Sequence, residues 1–408
     1  MTAAAGGRRL DWTRLALLAA CAAAAWLTVR NAALLLYADS APGRAAWFWP
    51  AGSKALAAEA RGRIISAGGA VDAPARALTL TALRRAPASA PPLVLAGLAA
   101  SADGMTTRAR ALMRAAEARD PRNDVARYWL LDNAIRSGDY AAGLAEVGPA
   151  LRLRAGTRPA VFALVAGMLQ VPAAARAVRA ELARDPDWRT DFFTAEAGTG
   201  ADPAMLLRLL ASLPPPHDAD AARLEQQAVL THAVEQGDYA AAYRAWRALP
   251  PPGGGRDALE PPGTIYDPDF AGLPRSVPFN WRLSSSGGTT AALEGHALTI
   301  AVDGADPAVL AEQYTVAPPG AYVFALRARR IGAATGAHLV ARVRCARDNA
   351  ELATLALDRA AARIARFVAP LTIPARCGAV RIEIAAAPDS GAGPVRMQIT
   401  DVWLTPGR

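Results

Sequence analysis

The stretch GDYAAGLAEVGPAL, residues 138–151, decides how the first half of the chain is read. A glycine opens it, an aromatic follows two residues later, small and apolar residues then recur at helical spacing, and a proline stands near its end. GMTTRARALMRAAEARDP (104–121) and GDYAAAYRAWRAL (237–249) repeat the theme. Gly104 and Gly138 lie 34 residues apart, and so do Pro87 and Pro121. Self-similarity at a fixed period of this size marks stacked helical hairpins, none of which buries its apolar face alone. Around these stretches, from about 50 to 250, Ala, Leu and Arg form amphipathic runs of 10 to 14 residues separated by short breaks such as SADGM, RSGDY and EQGDY. That alternation predicts helix pairs joined by tight turns.

At the residues that carry the pattern, the segment from about 56 to 250 resembles the tetratricopeptide repeat family. Gly138, Tyr140 and Gly143 stand where that family places its turn glycine, aromatic and small residue. Gly104, Ala109, Ala116 and Pro121 match turn, small, small and closing proline, and a third copy carries Gly237, Tyr239, Ala242 and an aromatic at Trp246. The repeats run approximately 56–89, 90–123 and 124–157, then less regular hairpins near 158–188 and 189–215, and a last one near 220–250. The family's Trp-Leu-Gly signature in the first helix is largely missing. The resemblance implies an α-solenoid without catalytic chemistry, whose surface binds a protein partner. The arginines scattered through it read as a solvated face.

Toward the N-terminus, LALLAACAAAAWLTV (15–29) is wholly apolar or small, and AALLLYA continues the run to Ala38 after Arg30 and Asn31. Segment 13–38 therefore predicts a transmembrane anchor behind a short tail, 1–12. Arg8, Arg9 and Arg14 precede it, so the tail is expected in the cytoplasm and the bulk of the chain in the periplasm of a bacterial inner membrane. Two alternatives stay open. Leu18-Ala19-Ala20-Cys21 resembles a lipobox, which would lipidate Cys21, and the run Ala22 to Ala25 would accept ordinary cleavage.

Beyond about 250 the composition changes. PPGGGRDALEPPG (251–263) breaks every regular pattern and reads as a linker. After it, β-rich runs such as HALTIAVDG, AYVFALRARR, AVRIEIAAA and VRMQITDVWL are separated by Gly, Pro and Asp, which suggests a sandwich. Asp269 and Phe270, then Trp281, a strand with Gly295, Leu298 and Ile300, another with Pro319, Gly320, Tyr322 and Phe324, and a closing run Ile399 to Leu404 come in a recognisable order. This layout over 264–408 resembles the galactose-binding-like jelly rolls used as carbohydrate-binding modules. The resemblance implies a glycan as candidate ligand, with Trp281, Tyr314, Tyr322 and Trp403 as candidate stacking residues. Ala271 stands where such modules often place an acidic residue beside a structural calcium. Of three cysteines, Cys345 and Cys377 both fall in this domain, and one pair fits one disulfide in an oxidising compartment. A metal site using them with His296 and His338 lacks ligand spacing.

Hydrophobic residues make up 52% of the 408 and charged ones 20%, which excludes a mostly disordered chain. The net charge of +9 comes almost wholly from Arg, Lys54 being the lone lysine, and is spread rather than clustered, so no nucleic-acid partner is expected. No nucleophile elbow, phosphate loop or zinc-binding helix motif is present. Asp267 and Asp269 are the one pair that invites comparison with a glycosidase dyad. The expected architecture is multidomain α plus β: an N-terminal transmembrane helix, a tetratricopeptide-like α-solenoid at 50–250 and a C-terminal β-sandwich, or jelly roll, at 264–408. The expected function is a non-enzymatic, cofactor-free envelope scaffold that binds a protein partner, in envelope or exopolysaccharide assembly. A glycan-binding module on a helical stalk is the alternative, and a glycosidase the second.

Overall fold

The computed structural model describes residues 12–37, 40–48, 52–153, 155–254, 264–285, 288–302, 309–331, 339–357, 360–386 and 394–407. Contacts divide the chain into two compact units, Met1–Thr157 and Arg158–Arg408. The first contains α1 (Trp12–Tyr37), α2 (Pro42–Phe48), α3 (Ser53–Ser66), α4 (Ala73–Arg85), α5 (Ala90–Ala102), α6 (Thr106–Arg119), α7 (Asp124–Arg136) and α8 (Tyr140–Leu153). With 26 residues, α1 rises about 39 Å, more than the roughly 30 Å of a bilayer's hydrocarbon layer. Among the described residues it is the one helix long and apolar enough to cross a membrane. Its buried residues are Ala33 and Leu34, and Leu34 packs with Ala55 of α3.

Helices α3 with α4, α5 with α6, and α7 with α8 pack as successive hairpins. Their turns share one hydrogen-bond pattern. After α5, the Gly104 amide donates to Ser101 O and the Met105 amide to Ala100 O; after α7, Gly138 donates to Ile135 O and Asp139 to Ala134 O. Gly104 and Gly138 sit at φ 74° and 77°, where a side chain would be strained. The small residues are needed where helices meet: Ala109 and Ala116 are fully buried, and a Cβ on Gly143 would lie 3.1 Å from Cγ1 of Ile135. Asp72 caps α4 and Asn123, two residues past Pro121, caps α7 through side-chain bonds to the Ala75 and Ala126 amides.

The second unit begins with α9 (Arg158–Met168), α10 (Pro172–Leu182), α11 (Arg189–Gly198), α12 (Pro203–Ala211), α13 (Ala219–Glu235) and α14 (Tyr239–Ala248). Here the pairing is less regular, since α11 packs on α13 and on α9. An ion pair buried on both sides, Arg189 to Glu225 at 2.9 Å, ties α11 to α13. The Gly237 turn repeats the earlier pattern, its amide donating to Val234 O and that of Asp238 to Ala233 O.

The sequence places one helical array at 50–250 and a boundary at 251–263; by contacts α9–α14 group with the sandwich in the unit Arg158–Arg408. The reason is the apolar face of α14, which the sandwich covers. Trp246 is 2% exposed, its Nε1 donates to Ser276 O at 2.9 Å, and Tyr266 meets its ring edge-on at 5.1 Å. Residues 255–263 of the expected linker and 1–11 of the expected tail lie outside the described residues.

Among the described residues ten strands follow: β1 (Arg282–Leu283), β2 (Thr289–Leu293), β3 (Leu298–Val302), β4 (Val309–Thr315), β5 (Gly320–Arg330), β6 (Leu339–Cys345), β7 (Glu351–Ala356), β8 (Ala365–Ile373), β9 (Val380–Ala386) and β10 (Val395–Pro406). They form two five-stranded antiparallel sheets, ordered β1-β4-β9-β6-β7 and β2-β3-β10-β5-β8. Alternation drives this arrangement, because inward residues such as Ile300, Phe324, Leu326, Val343, Ile382, Ile384 and Val402 are all fully buried in one core. Cys345 and Cys377 are joined in that core, with Cα atoms 5.0 Å apart.

Candidate functional site

The outward positions of the β1-β4-β9-β6-β7 sheet carry polar residues where the inward ones are aliphatic. Cross-strand partners share a face, so the pairing register assembles this surface. One row runs Arg282, Glu312, Glu383, Arg342, Thr354 across all five strands. The next runs Tyr314, Arg381, Arg344, Glu351. Four guanidiniums, three carboxylates and one phenol thus converge on one face.

These groups form a connected network. Glu383, 3% exposed, receives Arg381 Nη2 at 2.6 Å and Arg344 Nε at 3.2 Å. Arg381 also lies over the Tyr314 ring at 5.9 Å, donates to its hydroxyl at 3.4 Å and reaches Asn349 Oδ1 at 2.7 Å. Arg282 pairs with Glu312 at 3.1 Å and donates to Thr231 Oγ1 of α13 at 3.2 Å, which fastens the sheet edge to the helices. Tyr239 of α14 stands beside this end of the face. A Cβ on Gly378 would come within 3.0 Å of its ring, and burial, then Tyr314, push its phenol up while Arg347 and Arg381 pull it down.

Arg342 differs from its neighbours. Among the described residues its ion-pair partner is Glu351, with Oε2 at 3.7 Å, an oxygen also 3.6 Å from Arg344 Nη2. The Nε atoms of Arg342 and Arg381 are buried without a hydrogen-bond partner.

The four aromatics expected to bind a ligand do not come together. Tyr314 alone is on this face, half-buried. Trp403 is half-buried on the outer side of the other sheet, under Arg327 at 5.1 Å. Trp281 and Tyr322 correct the expectation: both are 6% exposed members of the sandwich core, with Trp281 Nε1 donating to Asp267 O at 3.0 Å. Each side chain is spent on packing, so neither offers a ring to a sugar.

Asp267 is 1% exposed, and its carboxylate accepts from the Ala271, Gly272 and Leu273 amides at 2.8, 3.0 and 3.3 Å. Burial raises its pKa against the effect of those amides. Asp269 points elsewhere, 3.8 Å from His296. The pair is thus a loop-closing carboxylate and a surface one, not two groups facing one bond. His338 lies outside the described residues, and among those described no cluster of three or more His, Cys, Asp or Glu is placed to hold a metal.

Sequence reasoning named Tyr314 and passed over Arg282, Arg342, Arg344, Arg381, Glu351 and Glu383. The signal was present as charged residues two apart within aliphatic strands, at 342 and 344 and at 381 and 383.

No family model matches the chain. No curated protein matches it either. Solved structures similar to it include carbohydrate-binding modules. A CBM4 structure is 12% identical, over 31% of this chain and 86% of that one, with a TM-score of 0.24. TmCBM61, in complex with beta-1,4-galactotriose, is 16% identical over 38% of this chain and all of its own, with a TM-score of 0.25. The CBM22-1 and GH10 modules of Clostridium thermocellum xylanase 10B, complexed with xylohexaose, are 16% identical over 31% of this chain and 26% of that one, with a TM-score of 0.22.

Proposed function

We propose that this chain is a membrane-anchored, non-enzymatic glycan-binding protein of the bacterial envelope, acting in envelope or exopolysaccharide assembly. The observation that carries the reading is the outer face of the β1-β4-β9-β6-β7 sheet. There Tyr314 offers a half-exposed ring beside fixed guanidinium donors and carboxylate acceptors. Sugars are recognised by that combination of a ring face and pre-positioned hydrogen-bonding groups. Helix α1 supplies the anchor, and the Cys345–Cys377 disulfide suits an extracytoplasmic sandwich.

The test is calorimetric titration of the full chain, held in nanodiscs, with an array-selected panel of oligosaccharides. Binding that weakens tenfold or more on Tyr314→Ala and is unchanged on Trp403→Ala supports the reading. Absence of binding to any glycan removes it.

A second reading, a scaffold for a protein partner on the helical repeats, is favoured by a cavity of about 290 Å³ in the first unit, lined by Leu35, Lys54, Arg61, Val94, Leu95 and Val125. Pull-down from solubilised membranes that enriches one protein, and loses it on Val94→Arg, would favour this reading.

A further inference from the structure

We infer that the glycan bound by this face is acidic, a uronate-containing oligosaccharide of sparse charge, and that its carboxylate docks at Arg342. The inference rests on the glycan-binding reading and names the substrate class of the same site.

Aromatic stacking is thinly provided here. Among the described residues of the five strands, Tyr314 is the one aromatic facing outward, whereas a neutral sugar chain draws much of its affinity from several rings. The donors are plentiful. Arg342 occupies β6, between β9 and β7; its side chain is only 20% exposed, and among the described residues its ion-pair partner is Glu351, at 3.7 Å, with no hydrogen bond to Nε. Its Nε has no hydrogen-bond partner in the protein, and neither has that of Arg381. A partly desolvated guanidinium with open N–H groups is satisfied best by a carboxylate, whose two oxygens match the planar fork.

The rest of the face sets the charge density of the ligand. Four guanidiniums, Arg282, Arg342, Arg344 and Arg381, stand against Glu312, Glu351 and Glu383. A polymer with a negative charge at every step would meet those carboxylates and be repelled, which disfavours nucleic acid and densely sulfated chains. A glycan with isolated carboxylates can place one on Arg342 and turn its hydroxyls toward Glu312, which accepts from them. Tyr314, in the adjacent row, is then positioned for the neighbouring sugar ring.

The experiment titrates the full chain in zwitterionic nanodiscs with oligosaccharides in which a single galacturonic, glucuronic or mannuronic acid stands among neutral sugars. The same oligomers after reduction of their carboxyls to alcohols serve as the comparison. Expected are binding of at least one uronate series, loss of tenfold or more on carboxyl reduction, weakening with added salt, and a similar loss on Arg342→Gln confined to the acidic ligand. If Arg342→Gln fails to fold, Arg342→Lys and the pH dependence take its place, binding falling as the uronate is protonated. Equal binding of acidic and reduced oligomers, or binding of the reduced forms alone, overturns the inference and leaves the glycan reading standing. Binding of no oligomer, together with an empty neutral panel, overturns both.

Discussion

Replacing Trp246 by Ala tests whether α9–α14 and the sandwich are one cooperative body. The indole is 2% exposed, packs at 5.6, 5.1 and 5.7 Å from the rings of Tyr243, Tyr266 and Phe279, and lies under the Arg275 guanidinium at 4.9 Å. Truncating a buried Trp to Ala costs about 3–5 kcal/mol. The Ser276 carbonyl also loses its donor at 2.9 Å, which adds about 1 kcal/mol, partly overlapping the first loss. Against a total stability of about 5–15 kcal/mol, this is a large fraction. Trp246→Phe keeps most of the packing and loses the N–H, so about 1–2 kcal/mol is expected. Denaturant-dependent hydrogen exchange read by mass spectrometry is the assay, comparing peptides from α13 and α14 with peptides from β4 and β9. Both sets should lose protection together and by the same free energy. A loss below about 1 kcal/mol for Trp246→Ala, or a shift confined to the helical peptides, would refute the reasoning.

Three further outcomes are expected. Glu225→Gln leaves Arg189 buried without its countercharge and should cost about 3–5 kcal/mol in urea unfolding, whereas the double change Arg189→Met with Glu225→Leu should recover much of that. Thiol labelling of the unreduced, denatured chain should modify Cys21 alone; reducing the bond, whose cysteines are 32 residues apart, should lower stability by about 3–4 kcal/mol. Burial pushes the Glu196 carboxyl above its ordinary pKa. Its ionised form is therefore penalised in the folded state, so Glu196→Gln should raise the melting temperature near neutral pH, and the gain should vanish below about pH 4, where the unfolded chain is protonated as well.

The parts legible in the sequence are those set by local chemistry. Gly104, Gly138 and Gly237 adopt the positive-φ turn that their spacing announced, and the alternating strands with Cys345 and Cys377 became a sandwich core with one bond. What stayed hidden depends on partners distant in sequence. Trp246 fills the same kind of gap whether a further hairpin or a sandwich covers it, so the helical pattern alone could not show that α14 joins the β domain. Trp281 and Tyr322 point inward through strand register and loop packing, and a one-residue shift exchanges the two faces of any strand. The Arg and Glu rows exist only because β4, β9 and β6 are adjacent in space while being fourth, ninth and sixth in the chain. No single segment contains that site.

The most direct measurement is a diffraction structure of the protein with a bound oligosaccharide selected from the titrations. The account predicts sugar density against the outer face of the β1-β4-β9-β6-β7 sheet, with a ring on Tyr314 and an acidic group within hydrogen-bond distance of Arg342. Sugar held instead on the opposite sheet beside Trp403, or nowhere on the sandwich, would contradict it.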